Sequence, residues 1–488
     1  LKGGIGLRRQ LNTFDVTNLV VGSIIGADIY VAAALGAKLV GPASLLVWML
    51  AGLMAIVIAL AFSYSATILP RVGGPYSYVR DVAGPFSGFI IGWALFLAEW
   101  LSLAVFPVAF TRYFVSLVPA LVPYQILLKG LFVSIILTTN VLGVKAAGRF
   151  NDALTIGKLT PLLLLMALGT LIIGLHPAET LSNFHPFITG GLSNLGQALV
   201  LIFWAYAGFE LSTLPADEIQ APKKTIPRAI VVGMLIVIVF YMATNFAIIG
   251  LVDQATLSAS TTPLIDAAMR IFSASPALAL FGILLMGVGA LVSIMGADES
   301  GTIGTSRLAY ALSIDGLMPR SFSRLHPRFK TPYLGLIVIC STAFVASVVE
   351  TLTDLINASV FLLSFVYLAT CAATMLLERK YGSAARGLRG QRAIPVLGMM
   401  FSLTLMTQVN MQQIFVSLIL LVIGIPLYVF FTPKKELSEL KSEYLSNEAV
   451  LGRAYEQGER FLAHLIRHIK RRVYRRTGTQ PAWVYDEK

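Results

Sequence analysis

Near its N-terminus the chain reads Val21-Gly22-Ser23-Ile24-Ile25-Gly26-Ala27-Asp28-Ile29-Tyr30, an apolar stretch interrupted by glycines and carrying one carboxylate. A helix crossing hydrocarbon has no water to satisfy its backbone, so a Gly-Ser-x-x-Gly interruption there is tolerated only where the freed groups line a polar cavity. The stretch therefore predicts a broken membrane helix with a ligand site in its gap. A helix restarting at about Ala27 aims its unpaired N–H groups and positive dipole end into that gap, which suits an anionic group. Asp28, on the same turn, opposes one.

The surrounding composition agrees. The 488 residues are 56% hydrophobic and only 13% charged, against about 25% charged in soluble domains, and mean hydropathy is +0.78. This predicts an integral membrane protein and excludes a soluble enzyme; the sequence holds no P-loop or dinucleotide fingerprint to energise transport. A scan for apolar windows places twelve spans near 14–40, 44–69, 86–115, 126–143, 150–174, 194–214, 227–250, 276–312, 333–349, 353–378, 394–409 and 412–432. The net charge of +12 is a topology signal before it is a nucleic-acid signal. Of 37 Lys and Arg, only Lys38, Arg112, Lys129, Lys158 and Arg270 lie off the N-terminal arm, one alternating set of connections and the tail. By the positive-inside rule that shared side is cytoplasmic, with both termini inside a cell membrane. The chain starts at Leu1 with no basic-apolar-small cleavage pattern, which predicts no signal peptide. Cys340 and Cys371 lie in apolar spans and make no disulfide framework, and the five histidines fall in loops or the tail, so no metal site or cofactor is expected.

Asn12 or Thr13 is placed to cap the first helix. The Gly- and aromatic-rich loop 72–81 reads as an amphipathic interfacial segment. Span 3 holds Glu99, and span 5 holds Lys158 just before Leu159-Thr160-Pro161. Ionisable groups at such depth cost at least about 2.5 to 3.5 kcal/mol each on insertion scales, so they face a cavity or one another. Span 6 reads Phe203-Trp204-Ala205-Tyr206-Ala207-Gly208-Phe209-Glu210, followed by Asp217-Glu218. Its small residues amid aromatics predict a second unwound helix. Interruptions in corresponding positions of two halves, about 14–174 and 194–378, point to an inverted-repeat secondary transporter. Span 8 carries Asp298 and Glu299; adjacent helical residues point about 100° apart, so one faces the cavity and the other a neighbouring helix or a cation. After 432 a charged tail repeats Phe461, Leu465, Ile469 and Val473 among basic residues, a basic amphipathic helix suited to anionic lipid or to the cytoplasmic face of the bundle.

Over roughly residues 8–432 the chain resembles the amino acid-polyamine-organocation permeases. The matching pieces are Gly22-Ser23-Ile24-Ile25-Gly26, Gly41-Pro42-Ala43, Gly73-Gly74-Pro75-Tyr76, Phe203 to Glu210, Pro222-Lys223-Lys224, and Ser306-Arg307 through Asp315-Gly316-Leu317-Met318-Pro319, in order. The resemblance implies an all-α, polytopic, LeuT-like fold of five plus five repeated helices with two extra ones at 394–432. It also implies alternating access and proton symport or exchange of amino acids or amines. It places Ser23, Ile24, Gly26, Ala27 and Asp28 against the substrate's ammonium and carboxylate groups, and Trp204, Ala205 and Ala207 in the span-6 wall. Glu210 resembles the acid linking site to proton coupling, and Lys158 the lysine that stands where sodium-coupled relatives bind the metal. Glu99, Asp298 and Glu299 complete the candidate coupling set.

Asp28 departs from the family pattern, which has a small residue there; Asp298 and Glu299 have no counterpart in the usual motif. Either Asp28 turns toward Lys158, or it is protonated, or the substrate presents a cation to it. Two other readings stand beside the permease: a carrier of potassium or another inorganic cation, since hard carboxylate oxygens suit such ions, and a transporter-like sensor, suggested by the tail.

Overall fold

The computed structural model describes residues 12–432 apart from 27, 70–72, 143, 213–218 and 383–391, and backbone alone at 19, 144–158, 192, 211–212 and 222–223. The N-terminal arm up to residue 11, Asp217-Glu218 and the tail 433–488 lie outside the described residues.

What is described is all helical. The first half comprises α1 (Thr13–Ile24), α2 (Asp28–Val40), α3 (Ser44–Ile68), α4 (Pro75–Leu117), α5 (Gln125–Leu142), α6 (Val144–Leu175) and α7 (Pro177–Asn183). The second comprises α8 (Leu195–Phe203), α9 (Phe209–Ser212), α10 (Pro222–Leu251), α11 (Gln254–Ala259), α12 (Pro263–Ile271), α13 (Pro276–Ile314), α14 (Tyr333–Val349) and α15 (Leu352–Lys380). Two further helices follow, α16 (Ala393–Gln408) and α17 (Met411–Phe431).

Among the described residues seven helical stretches are long and apolar enough to cross a membrane, or eight counting α6's Leu159–Leu175 with α7, bent by 108°. That falls short of the twelve expected spans for identifiable reasons. One stretch, Asp28–Ile68, contains both α2 and α3, joined by the turn at Gly41–Ala43. The breaks divide α1 from α2 and α8 from α9, leaving pieces of 13 residues or fewer. Helices α14 and α16 have 17 and 16 residues.

Asn12 makes the expected N-cap. Its side chain accepts from Phe14 N and Asp15 N, and Asp15 returns the bond to Asn12 N at 2.9 Å, a reciprocal cap that fixes where α1 begins. The 72–81 loop departs from expectation: from Pro75 it is helical and runs into span 3 through Gly84, whose φ of 86° makes the bend. That segment is clasped to the ends of two long helices. Tyr76 donates to Asp315 at 2.7 Å, Arg80 reaches Asp315 at 2.9 Å, and Lys380 reaches Asp81 at 2.9 Å. Exposed pairs contribute little individually, about 0 to 1 kcal/mol, so their main effect is to fix orientation. At the opposite end Asp253 caps α11 by accepting from Thr256 N, and these N–H groups hold its carboxyl below the usual range.

The helices sort into two packed groups. α10 packs on α1 and α3, and α8 on α2 and α3; α4 packs on α5, α13, α14 and α15, and α13 on α6, while α15 against α3 and α10 against α6 join the two groups. Outward faces of α5 and α17 are apolar and open, with Leu127 68% and Phe415 66% exposed, as a hydrocarbon surrounding requires. The broken helices lie inside, where small residues permit close approach. A Cβ on Gly26 would stand 2.9 Å from that of Ala297, and one on Gly208 would stand 2.7 Å from Ser23 O. Gly208 also has φ of 113°. Gly208→Ala is expected to cost at least about 1 to 3 kcal/mol from backbone strain alone. A lowered melting temperature of the purified protein would show it, and a parent-like melt would contradict this account of the break.

Candidate functional site

The first break opens because α1 stops at Ile24 and Ile25 turns extended (φ −72°, ψ 97°), its N–H closing on Val21 O at 2.8 Å. In the second, a single 3₁₀ turn at Trp204–Tyr206 follows α8; Ala207 is extended, with its N–H on Trp204 O at 3.1 Å, before Gly208 reverses the chain into α9. The gaps meet at Gly208 and Ser23, and one side chain joins them. Tyr241 of α10 lies with its hydroxyl 2.8 Å from Ile24 O and 3.0 Å from Ala205 O. One hydrogen is shared between carbonyls that the breaks have released, a need hydrocarbon leaves to the protein. The Tyr241 ring is held against Trp48 and Tyr206, each at 5.2 Å between centroids, and Tyr206 donates to Trp48 O.

Of the predicted wall, Ala205 belongs to this junction, Ala207 forms its extended turn and Trp204 closes one side. The Trp204 indole donates to Ser102 at 3.1 Å; Ser102 bonds Ser359, which donates to Ala98 O. Phe106 packs on the same indole. Ser23 turns its hydroxyl to Val20 O and meets Gly208 through its carbonyl. Ile24 contributes its carbonyl and Gly26 its closeness to Ala297. Asp28 opens α2 and is buried, with one carboxylate oxygen turned back toward Gly26. Ala27 and the Lys158 side chain lie outside the described residues; the Lys158 backbone belongs to α6, which packs on α13 and α10.

The acids fall into two sets. Glu210 accepts from Gly208 N at 3.0 Å and from Tyr367 Oη at 3.1 Å, so it sits directly under the second break. Glu99 of α4 is buried as Glu210 is, with Glu210 and Asp28 as its electrostatic neighbours. Glu299 instead meets α5, accepting from Thr139 at 2.7 Å, while Asp298 is buried beside it on α13. Among the described residues no group of three or more His, Cys, Asp or Glu is arranged to hold a metal ion.

Tyr241, Tyr367, Ser102 and Ser359 are site residues that the sequence reading missed. Spacing alone does not separate a tyrosine that ties two breaks from one that packs. The signal available was local: Tyr241 precedes Thr244-Asn245 in an otherwise apolar span.

Two interrupted helices meeting inside a helical bundle, with buried acids beneath the junction, define a polytopic membrane transporter rather than an enzyme. A sequence profile of the amino acid permease family matches residues 11–445, and the chain belongs to that family. It is 28% identical to the branched-chain amino acid permease BcaP of Bacillus subtilis (strain 168), over 88% of this chain and 95% of that one. It is 30% identical to the methylthioribose transporter of the same organism, over 67% and 72%, and 26% identical to its serine/threonine exchanger SteT, over 80% and 87%.

Tyr241→Phe keeps the ring packing and removes the shared hydrogen. Leaving buried carbonyls unsatisfied costs about 1 to 3 kcal/mol, so the variant is expected to melt lower and to bind substrate more weakly. Parent-like melting and binding together would show that the hydroxyl does not hold the junction.

Proposed function

We propose that this permease is a cell-membrane secondary transporter that imports or exchanges amino acids by alternating access, coupled to protons. In this reading residues 14–432 form twelve spans, arranged as five-plus-five inverted repeats and two extra helices. Both termini are cytoplasmic by the charge rule, and the tail 433–488 lies on lipid or on the inner face. The observation that carries the reading is the junction at Tyr241, whose hydroxyl bridges the two helix breaks inside the bundle. The names of BcaP and SteT, whose lengths the chain largely covers, support amino acids as cargo.

The freed groups of the first break and the span-6 wall receive the substrate's charged end, with Ser23, Ile24, Gly26, Ala27, Asp28, Trp204, Ala205 and Ala207 lining it. Asp28 decides how that end is oriented. A carboxylate docked about 4 Å from it would be repelled by about 4 kcal/mol at an effective dielectric of 20. The group over Asp28 is therefore the substrate ammonium, and the carboxylate turns to the remaining amides. Glu210, under the second break, and Glu99 beside it carry the proton whose movement is tied to substrate occupancy, with Lys158 of α6 modulating that charge.

Uptake into proteoliposomes under an inward proton gradient tests the function, with labelled leucine, serine, putrescine, methylthioribose and rubidium in parallel. Uphill accumulation of an amino acid is expected; movement of rubidium alone would replace the reading with a cation carrier. Asp28→Gly is expected to weaken binding of the transported amino acid by about 2 to 5 kcal/mol, the range for removing one partner of a buried charge pair. Unchanged or tighter binding by thermal shift would mean that the carboxylate, and not the ammonium, occupies the gap.

A further inference from the structure

We propose that Glu299 is a second proton-binding site, at the seam between α5, α13 and α14 and separated by α13 from the substrate site. The inference rests on the transporter reading only for what the proton is used for.

The Glu299 carboxyl is fully buried; one oxygen meets Thr139, and the other has no hydrogen-bond partner. Asp298 beside it is 3% exposed and likewise has one oxygen without a partner. No ion pair among the described residues reaches either acid. The groups facing them can be named element by element. α14, packed on α5 and α13, carries the buried Cys340 thiol, and α5 contributes Thr139. α4 presents Leu103 against the next turn at Gly301, and the Lys158 side chain of α6 lies outside the described residues. Two bare carboxylates in such surroundings cost several kcal/mol. A metal ion would need six or more oxygen ligands of the Ca²⁺ or Mg²⁺ kind, whereas a proton needs one.

Thr139 is built to serve either form of the acid. Its hydroxyl lies 2.7 Å from Glu299, 2.9 Å from Ile136 O and 3.1 Å from Ile135 O. It has one hydrogen for three acceptors. When Glu299 is a carboxylate the hydroxyl donates to it. When a proton from water forms the O–H bond of the acid, Glu299 donates, and the hydroxyl turns its hydrogen back to its own helix. Release breaks that O–H bond and returns the proton to water.

The substrate side of α13 is elsewhere: Ala297, against Gly26, lies about 200° round the helix from Glu299.

Infrared difference spectra of the full chain in liposomes between low and high pH, without substrate, read this site directly. The expected result is a carboxylic-acid carbonyl band that is deuterium-sensitive, disappears in Glu299→Gln and shifts in Thr139→Val. A band unchanged in Glu299→Gln overturns the site. Should that variant not fold, an unshifted band in Thr139→Val does so. Absence of proton-driven uptake by the parent would remove the coupling reading while leaving these spectra fully informative.

Discussion

The constraint on which the structure depends is that backbone polar groups freed at mid-membrane must be satisfied by protein. Breaking a helix twice in hydrocarbon releases carbonyls whose loss of partners costs several kcal/mol each. The Tyr241 hydroxyl, placed between Ile24 O and Ala205 O, offsets that cost for both breaks at once. Much of the neighbouring sequence follows from this geometry. Gly208 is small because Ser23 O occupies the space of its Cβ, and Gly26 is small because Ala297 does. Trp48 and Tyr206 are large because the tyrosine that bridges the breaks has to be held rigidly from both sides.

The same economy governs the buried acids. Glu210 and Glu299 are met by an amide and by the hydroxyls of Tyr367 and Thr139. A hydroxyl accepts as readily as it donates, so it stays bonded whether its carboxyl is charged or neutral. A lysine or arginine partner would favour the charged form alone. Neighbours that tolerate both forms are what a group needs if it is to gain and lose a proton during a transport cycle, and the two sets of acids share this property although they lie on different elements.

The sequence made the helical scaffold legible because long apolar runs bounded by Gly, Pro and basic residues have few alternative readings. The span at 333–349 coincides with α14, and most other boundaries fall within two or three residues. The start of span 3 was misplaced because Gly84 bends a continuous helix, and a glycine before a proline reads as a loop. The helix breaks were visible through their glycines and the acids through their cost in hydrocarbon. What closed the site was less visible: Tyr241, Tyr367, Ser102 and Ser359 act through one hydroxyl each, and their partners are remote in sequence. Ser359 and Ser102 are 257 positions apart, and Tyr367 and Glu210 are 157 apart. No local pattern encodes such a pair.

Helix α13 joins these themes. Its Ala297 abuts the first break, Glu299 reaches the opposite seam, and its far end is clasped to the segment before span 3 through Asp315. A packed helix rotates or tilts as a unit, since close-packed interiors transmit displacement and do not absorb it. Any change of α2 against Ala297 as the break opens or closes is therefore felt at the contact between Glu299 and Thr139. Proton affinity there is sensitive to tenths of an ångström, because among the described residues the acid has one hydrogen-bond partner and no ion pair. With Glu299 as the proposed proton site, one rigid element supplies a mechanical path between the gap and the seam, with no need for the two ligands to touch.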